Sequence, residues 1–296
     1  MDYPIIQVRT KDNFYLHGLY LPAKNKNTIF INFHGTASNF YEEDYTKFFS
    51  EEFSKNDISL ISANNRGAGV FDAYQQIGAA VEKFEDCLID FDAWLEFAIN
   101  EGYQNIILAG HSLGAEKVVY YMNHGQYANK ISAIVLLGPA DSYGSHRMLK
   151  GQTNPRLPEI ENLLQESQKM IENGQYKTFL PLDAYGSIRG IMPKNAESFL
   201  DFLGPNSKLN ETLPFATGRL EAYSKIKIPI LAIISDNEDK EFTALPIPAA
   251  MDLMKKENPN TETVIIENTN HDFEGKEKEL TETVIKFING KIQPGK

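Results

Sequence analysis

The sequence has a single cysteine and no long apolar run. Cys87 is the only cysteine among 296 residues, which excludes a disulfide framework within the chain. No stretch approaches the 18 or so uninterrupted apolar residues that a membrane-spanning helix needs, so none is expected. Residues 1–20 lack the basic start and apolar run of a secretory signal. Together these absences predict a cytoplasmic protein.

Basic residues are also scarce. The chain has 29 Lys and Arg against 40 Asp and Glu, a formal net charge of −11, and no cluster of Lys and Arg stands out. We therefore expect neither nucleic acid nor an anionic membrane surface as a partner. The remaining composition, 42% hydrophobic and 23% charged, is that of a globular protein with enough apolar residues for a large core.

Metal and cofactor motifs are absent from the sequence as well. The chain contains no H-E-x-x-H pattern and no paired cysteines. Its two glycine-rich segments, NRGAG (65–69) and GHSLG (110–114), do not have the pattern of a phosphate-binding loop. We expect no metal and no cofactor.

Short apolar runs alternate with helical patterns along the chain. The runs that predict strands are 5–9, 14–20, 28–33, 58–63, 105–109, 131–137, 228–235 and 263–267. Most are nearly continuous in Val, Ile and Leu, which is typical of strands buried on both faces of a parallel sheet. Turn residues between the first two runs predict a hairpin, and hence antiparallel strands at one edge.

Helical patterns fill most of the intervals between these runs. Apolar residues spaced by three and four predict a helix over 80–101, and residues 41–55 and 275–289 are also helix-like. The alternation predicts an α/β fold in which helices flank a mostly parallel sheet. Residues 141–222 interrupt it and are predicted to form a mostly helical lid on a core domain built from 1–140 and 223–296.

The segment ILAGHSLGAEKVV (107–119) contains a G-x-S-x-G pattern centred on Ser112. A predicted strand precedes the serine and a helical pattern follows it, the context that a nucleophile elbow requires. Gly110 and Gly114 lack a Cβ, so strand and helix can approach closely. The helix N-terminus favours negative charge beside Ser112, and the Leu113 amide would be one donor of an oxyanion hole.

Partners for Ser112 lie in other loops. Thr36 follows the predicted strand 28–33, and we choose its amide as the second oxyanion donor. A serine nucleophile needs a base, and His271 stands after the last strand and before the last helix, where the order Ser…acid…His places it. His34 is interpreted as structural, and the ring of His111 is expected to point away from the site.

The acid that fixes the tautomer of His271 should follow the strand 228–235. Asp236, Glu238 and Asp239 all stand in that loop, and spacing alone does not choose between them. Elsewhere, Arg66 is interpreted as holding its own loop, with binding of a substrate carboxylate as the alternative. The four acidic residues of the helix before Ser112 are expected on its solvent-exposed face: Glu82, Glu85, Asp86 and Asp90.

With these residues assembled, the chain resembles the α/β-hydrolase superfamily over nearly its whole length. The matching segments are HGT (34–36), NRG (65–67), GHSLG (110–114), SDNED (235–239) and NHDFEG (270–275). The resemblance implies the α/β-hydrolase fold and a serine hydrolase that uses Ser112, His271 and an acid. In many such hydrolases the acid lies three residues after a glycine. Here Ser235 replaces that glycine, which favours Glu238 over Asp239.

A narrower likeness concerns the substrate. Residues 82–121 resemble small-ester hydrolases, including feruloyl-type esterases, and residues 196–205 are similar to siderophore-ester hydrolases. The likeness implies a small-molecule ester or acyl substrate and hydrolysis through an acyl-enzyme. Two alternatives stay open: acyl transfer or amide or thioester cleavage on the same triad, and a non-catalytic binding protein of the same fold. Monomer and homodimer are equally compatible with the sequence.

Overall fold

A mostly parallel sheet forms the centre of the fold. The computed structural model describes residues 4–147, 157–181, 193–237 and 240–292. Within these ranges the sheet has eight strands in the order β1-β2-β4-β3-β5-β6-β7-β8. The strands are β1 (Ile5–Arg9), β2 (Tyr15–Leu21), β3 (Thr28–Phe33), β4 (Ile58–Ala63), β5 (Asn105–His111), β6 (Ile131–Leu137), β7 (Ile230–Ser235) and β8 (Thr261–Ile266).

The strand directions confirm the sequence prediction. β1 and β2 form an antiparallel hairpin, β2 pairs antiparallel with β4, and all pairs from β4 to β8 are parallel. Every residue of β3, β4 and β7 is buried. Burial on both faces explains why these strands are mostly apolar and lack the regular alternation of apolar and polar residues seen in half-exposed strands.

Helices follow most strands. They are α1 (Tyr45–Lys55), α2 (Cys87–Asn100), α3 (Leu113–His124), α4 (Ser142–Arg147), α5 (Leu157–Glu172), α6 (Ala196–Leu203), α7 (Glu221–Ser224), α8 (Lys240–Thr243), α9 (Ile247–Glu257) and α10 (Glu277–Lys291). The helix predicted over 80–101 begins only at Cys87, after a 3-10 turn at Phe84–Asp86. The apolar spacing of the sequence did not identify α9. None of the helices in the described ranges combines the length and apolar character that crossing a bilayer requires.

Both faces of the sheet are covered by apolar side chains. On one face, Phe49 and Phe53 of α1 join Val284 and Phe287 of α10 in one buried cluster. On the other face, a larger cluster includes residues of α2, α3, α6 and α9. Neighbouring β3 residues alternate between the two clusters, because successive side chains of a strand point to opposite faces.

Several helices lie between β6 and β7. α4, α5, α6 and α7 all fall in this interval, and α5 packs against α6. The prediction that residues 141–222 contain helices is therefore confirmed by α5 and α6 within the described ranges. A direct connection between neighbouring parallel strands needs far fewer residues.

Two acidic residues near α2 contradict the expectation of a solvent-exposed face. Asp90 and Glu82 are only 1% and 3% exposed. Asp90 accepts hydrogen bonds from the Arg66 amide at 2.7 Å and from its guanidinium, and Glu82 accepts one from Lys117 Nζ at 2.7 Å. Buried carboxylates need such partners, and these lie too far along the chain for local spacing to reveal. The contacts confirm that Arg66 holds its own loop.

Candidate functional site

Ser112 occupies the junction between β5 and α3 in an unusual backbone conformation. Its φ is 53° and its ψ is −121°. A non-glycine residue in such a region costs on the order of 1–3 kcal/mol and persists only when its surroundings hold it there. The Ser112 amide donates to the Leu137 carbonyl at 2.9 Å, and the Ser112 carbonyl accepts from the Ala115 amide at 2.9 Å. The first bond attaches the turn to the end of β6, and the second attaches it to the first turn of α3.

Two glycines permit the tight turn, as the sequence predicted. A Cβ on Gly110 would lie 2.3 Å from the backbone carbonyl carbon of Gly114. A Cβ on Gly114 would lie 2.5 Å from the carbonyl oxygen of Phe33 and 2.7 Å from that of His34. The start of α3 is therefore pressed against both β5 and the end of β3.

The loop after β3 also contacts Ser112. A Cβ on Gly35 would lie 3.0 Å from the Cβ of Ser112, so a side chain there would crowd the serine. Thr36 is exposed, and Ala37 has a φ of 56°. Leu113 opens α3, so its amide is among the first four that have no acceptor within a helix. The two predicted oxyanion donors thus lie on the two segments that flank Ser112.

His34 anchors this loop. Its Nε2 accepts from the Asn65 amide at 3.3 Å, and its Nδ1 donates to the Gly35 carbonyl at 2.7 Å. Complete burial lowers the pKa of His34 to about 4, so the ring is neutral at pH 7. The contacts are those of a structural residue, as the sequence analysis interpreted it.

His271 lies in the loop between β8 and α10, where the sequence placed it. The ring of Phe242 stacks on the imidazole, with centroids 3.9 Å apart and planes 6° apart. The ring of His111, next to Ser112, does not point away from the site as expected: its centroid lies 4.8 Å from that of His271, and its Nε2 donates to the His271 carbonyl at 2.9 Å. The residue before the serine therefore holds the backbone of the predicted base. Sequence analysis missed Phe242 because no local pattern relates it to His271.

The predicted acids are divided between described and undescribed residues. Glu238 and Asp239 lie outside the described residues. Asp236 is described, and its carboxylate accepts from the Thr269 amide at 3.4 Å. Hydrogen bonds from the backbone of Asn268 and Thr269 lower the pKa of Asp236. These are the contacts of a residue that holds the loop leading to His271.

Asp141, which follows β6, contacts the backbone of Phe242, the residue that stacks on His271. Its amide donates to the Phe242 carbonyl at 2.7 Å. Its carboxylate accepts from the amides of Gly144 at 2.6 Å and Ala216 at 2.8 Å. Burial raises the pKa of Asp141 to about 6 despite these two bonds. In the sequence, Asp141 was identified only as the first residue of the predicted lid, residues 141–222.

Within the described residues, one group of three side chains has donor atoms placed to hold a metal ion. One atom each of Glu43, His111 and Asp272 lies within 4.8 Å of the other two. The sequence analysis expected no metal and did not relate these residues, because they come from three separate loops.

Sequence comparison finds one family. The family described as "Protein of unknown function (DUF1749)" matches residues 69–292. The matched range begins after β4 and includes Ser112 and His271. No curated protein matches the chain.

Solved structures resemble the whole chain. Est1E from Butyrivibrio proteoclasticus superimposes with a TM-score of 0.66 at 15% identity, covering 99% of this chain and 100% of that one. Est1E is also known with ferulic acid bound. Esterase Pf2001 from Pyrococcus furiosus gives 0.61 at 16% identity, covering 98% and 92%. A soluble variant of monoglyceride lipase from Saccharomyces cerevisiae gives 0.66 at 15% identity, covering 99% and 97%. At such identities the likeness shows a shared fold.

Proposed function

We propose that this chain, which belongs to the DUF1749 family and has the α/β-hydrolase fold, is a serine hydrolase that cleaves a carboxylic ester of a small molecule. The observation that carries the proposal is the conformation of Ser112, with φ 53° and ψ −121° at the start of α3. Strain of this kind at the end of a strand points to a functional residue. The names of structural neighbours, an esterase and a monoglyceride lipase, support ester chemistry.

The proposed reaction has two steps. Ser112 Oγ attacks the ester carbonyl carbon while His271 accepts the hydroxyl proton, and the same histidine then protonates the departing alcohol. Water hydrolyses the acyl-enzyme with His271 again acting as base. Glu238, in preference to Asp239, orients the imidazole. The amides of Thr36 and Leu113 stabilise the oxyanion, a contribution of about 3 kcal/mol per donor in comparable sites.

Contacts around His271 support its role as the base. The stacked ring of Phe242 restricts the plane of the imidazole. The hydrogen bond from His111 to the His271 carbonyl couples the loop to the turn that carries Ser112. A base held in one orientation relative to its nucleophile loses less freedom on reaching the transition state.

We further propose that residues 141–222 form a lid on a core domain of 1–140 and 223–296. In the described ranges three helices of this segment, α4, α5 and α6, interrupt the passage from β6 to β7. The segment begins beside the Phe242 carbonyl, which accepts from the Asp141 amide. A lid in this position determines which acyl and alcohol groups reach Ser112.

The test is hydrolysis of p-nitrophenyl esters from acetate to decanoate, and of methyl ferulate, by wild type and Ser112→Ala. We expect the variant to lose at least about 1,000-fold in kcat, because the nucleophile is removed. Ser50→Ala on α1, whose hydroxyl bonds to the Lys47 carbonyl, is the matched control and should retain full activity.

A serine-directed fluorophosphonate separates the remaining possibilities. Labelling of wild type but not of Ser112→Ala, without ester turnover, would keep the nucleophile and indicate amide or thioester cleavage. Product analysis with competing alcohol or amine would reveal acyl transfer. If a folded wild-type protein were neither active nor labelled, the hydrolase proposal would be wrong and a binding protein of the same fold would be favoured.

A further inference from the structure

Three ionisable side chains from separate loops meet beside His271. Glu43 precedes α1, His111 ends β5, and Asp272 follows His271 directly. His111 Nδ1 lies 3.7 Å from Glu43 Oε1, and His111 Nε2 lies 3.8 Å from Asp272 Oδ1. Both distances are too long for direct hydrogen bonds. The three groups are therefore neighbours that do not bond to one another directly.

The imidazole of His111 is buried, and only one of its two ring nitrogens makes a hydrogen bond within the described residues. The residue is 2% exposed, and its Nε2 donates to the His271 carbonyl at 2.9 Å. In the neutral ring this bond leaves the lone pair on Nδ1. Nδ1 has no hydrogen-bond partner among the described residues. Its lone pair thus lies near the Glu43 carboxylate, which is also an acceptor, and a cation bound between them would satisfy both.

The surroundings of the cluster are acidic. A cavity of about 290 Å³ reaches Glu43 and Asp272 and is lined by five carboxylates and one hydroxyl. Its lining residues are Ser38, Glu42, Glu43, Asp44, Asp272 and Glu274. Such a lining attracts cations towards Glu43 and Asp272, the two carboxylates that adjoin His111.

We propose that Glu43, His111 and Asp272 bind one divalent transition-metal cation, for which Zn²⁺ is the probe. An imidazole nitrogen with two carboxylates suits Zn²⁺, whereas Mg²⁺ and Ca²⁺ take oxygen ligands. Around Zn²⁺, tetrahedral ligand atoms lie about 3.4 Å apart, close to the observed separation of His111 and Glu43. The Asp272 side chain is 55% exposed and is free to rotate towards the ion.

The bond from His111 Nε2 fits this role. Metal-ligating histidines commonly donate their second ring nitrogen to a backbone carbonyl, which orients the ring and selects the ligating nitrogen. Here that carbonyl belongs to His271. The ion would join the loop before α1, the residue before Ser112 and the residue after His271. Its effect on catalysis rests on the proposed function: the ion positions the His271 loop and does not touch the ester.

The experiment is calorimetric titration of Zn²⁺ into chelator-treated, dialysed protein. We expect one Zn²⁺ per chain for wild type, and at least about 10-fold weaker binding for Glu43→Gln and for Asp272→Asn. Glu42→Gln is the matched control, since Glu42 lines the cavity but is not a proposed ligand, and should bind like wild type. Zn²⁺ should raise the Tm of wild type and control by more than that of the two ligand variants at the same Zn²⁺ concentration.

Two results would overturn the metal site: wild type that binds no stoichiometric Zn²⁺, or ligand variants that bind as tightly as wild type. Saturable binding of Mg²⁺ or Ca²⁺ with equal affinity would also contradict the proposed ligand set. Fluorophosphonate labelling of the same samples distinguishes failure of the metal-site proposal from failure of the hydrolase proposal. Labelling without Zn²⁺ binding refutes only the metal site, and Zn²⁺ binding in a protein that is neither labelled nor active refutes only the hydrolase.

Discussion

At the scale of single residues, the turn at Ser112 depends on glycines, whose lack of a side chain lets α3 approach the sheet closely. A Cβ on Gly114 would lie 2.5 Å from the backbone carbonyl oxygen of Phe33 and 2.7 Å from that of His34. Backbone atoms in the centre of a sheet cannot rotate aside as a flexible side chain can. The glycine is therefore required by packing between α3 and β3, in addition to any role in catalysis.

We expect Gly114→Ala to lower the free energy of unfolding by about 2–3 kcal/mol, the upper part of the range for overpacking a core. Urea denaturation followed by circular dichroism measures the change. Gly290→Ala is the matched control, because a Cβ there meets no atom within 4 Å and the residue lies in α10. The control should be neutral or stabilised by up to about 1 kcal/mol. Equal stabilities of the two variants would refute the close approach.

At the scale of elements, buried polar groups join segments that the apolar core leaves separate. Asp90 holds the Arg66 loop to α2, and Glu82 holds Lys117 of α3. Asp141 joins the end of β6 to α4 and to Ala216 through two backbone amides. Burial raises the pKa of Asp90 and of Asp141, so the ionisation of these two carboxyl groups is coupled to folding.

Asp141 should make stability depend on pH. Burial raises its pKa from the ordinary 3.8 to about 6, so the folded state favours the protonated form. The stabilisation is present below about pH 4 and is lost as pH rises to about 6. At about 1.4 kcal/mol per pH unit, the loss is about 3 kcal/mol.

Denaturant titrations of wild type and Asp141→Asn at pH 4, 5, 6 and 7 measure this effect. The free energy of unfolding of wild type minus that of the variant should fall by about 2 kcal/mol between pH 4 and pH 6 and by only a few tenths of a kcal/mol more by pH 7. Asp252→Asn, at an exposed position in α9, is the control for the Asp-to-Asn substitution itself. A flat curve for Asp141→Asn would contradict the interpretation.

At the scale of the whole molecule, the net negative charge acts on every charged molecule that approaches. The formal charge is −11, and an acid-lined cavity lies beside His271. A long-range field of this sign repels anionic molecules, and salt screens it over about 10 Å at 0.1 M.

If the chain hydrolyses esters, we expect kcat/KM for an anionic ester to rise with salt. Between about 10 and 500 mM NaCl, p-nitrophenyl hemisuccinate should gain about threefold or more, because repulsion is screened. The neutral p-nitrophenyl butyrate, of the same chain length, should change by less than about twofold. A fall for the anionic ester, or an equal rise for both, would show that local contacts outweigh the field.

Local patterns were sufficient for most of the architecture. The apolar runs predicted the strands of the sheet, and the turn between the first two runs predicted the antiparallel edge. Ser112 was placed at a strand-to-helix junction by its immediate neighbours. By contrast, the burial of Asp90 and Glu82 was not foreseen, because their partners Arg66 and Lys117 lie 24 and 35 residues away.

The sequence by itself determined which segments are strands, which segments form α1, α2 and α10, and which loops carry Ser112, Thr36 and His271. Those features follow from the spacing of neighbouring residues, which the chain records directly. Only the tertiary structure decided that Phe242 stacks on His271 and that Glu43 and Asp272 adjoin His111. These contacts arise because the strand order brings loops from distant parts of the chain to the same edge of the sheet, and that order depends on long-range packing.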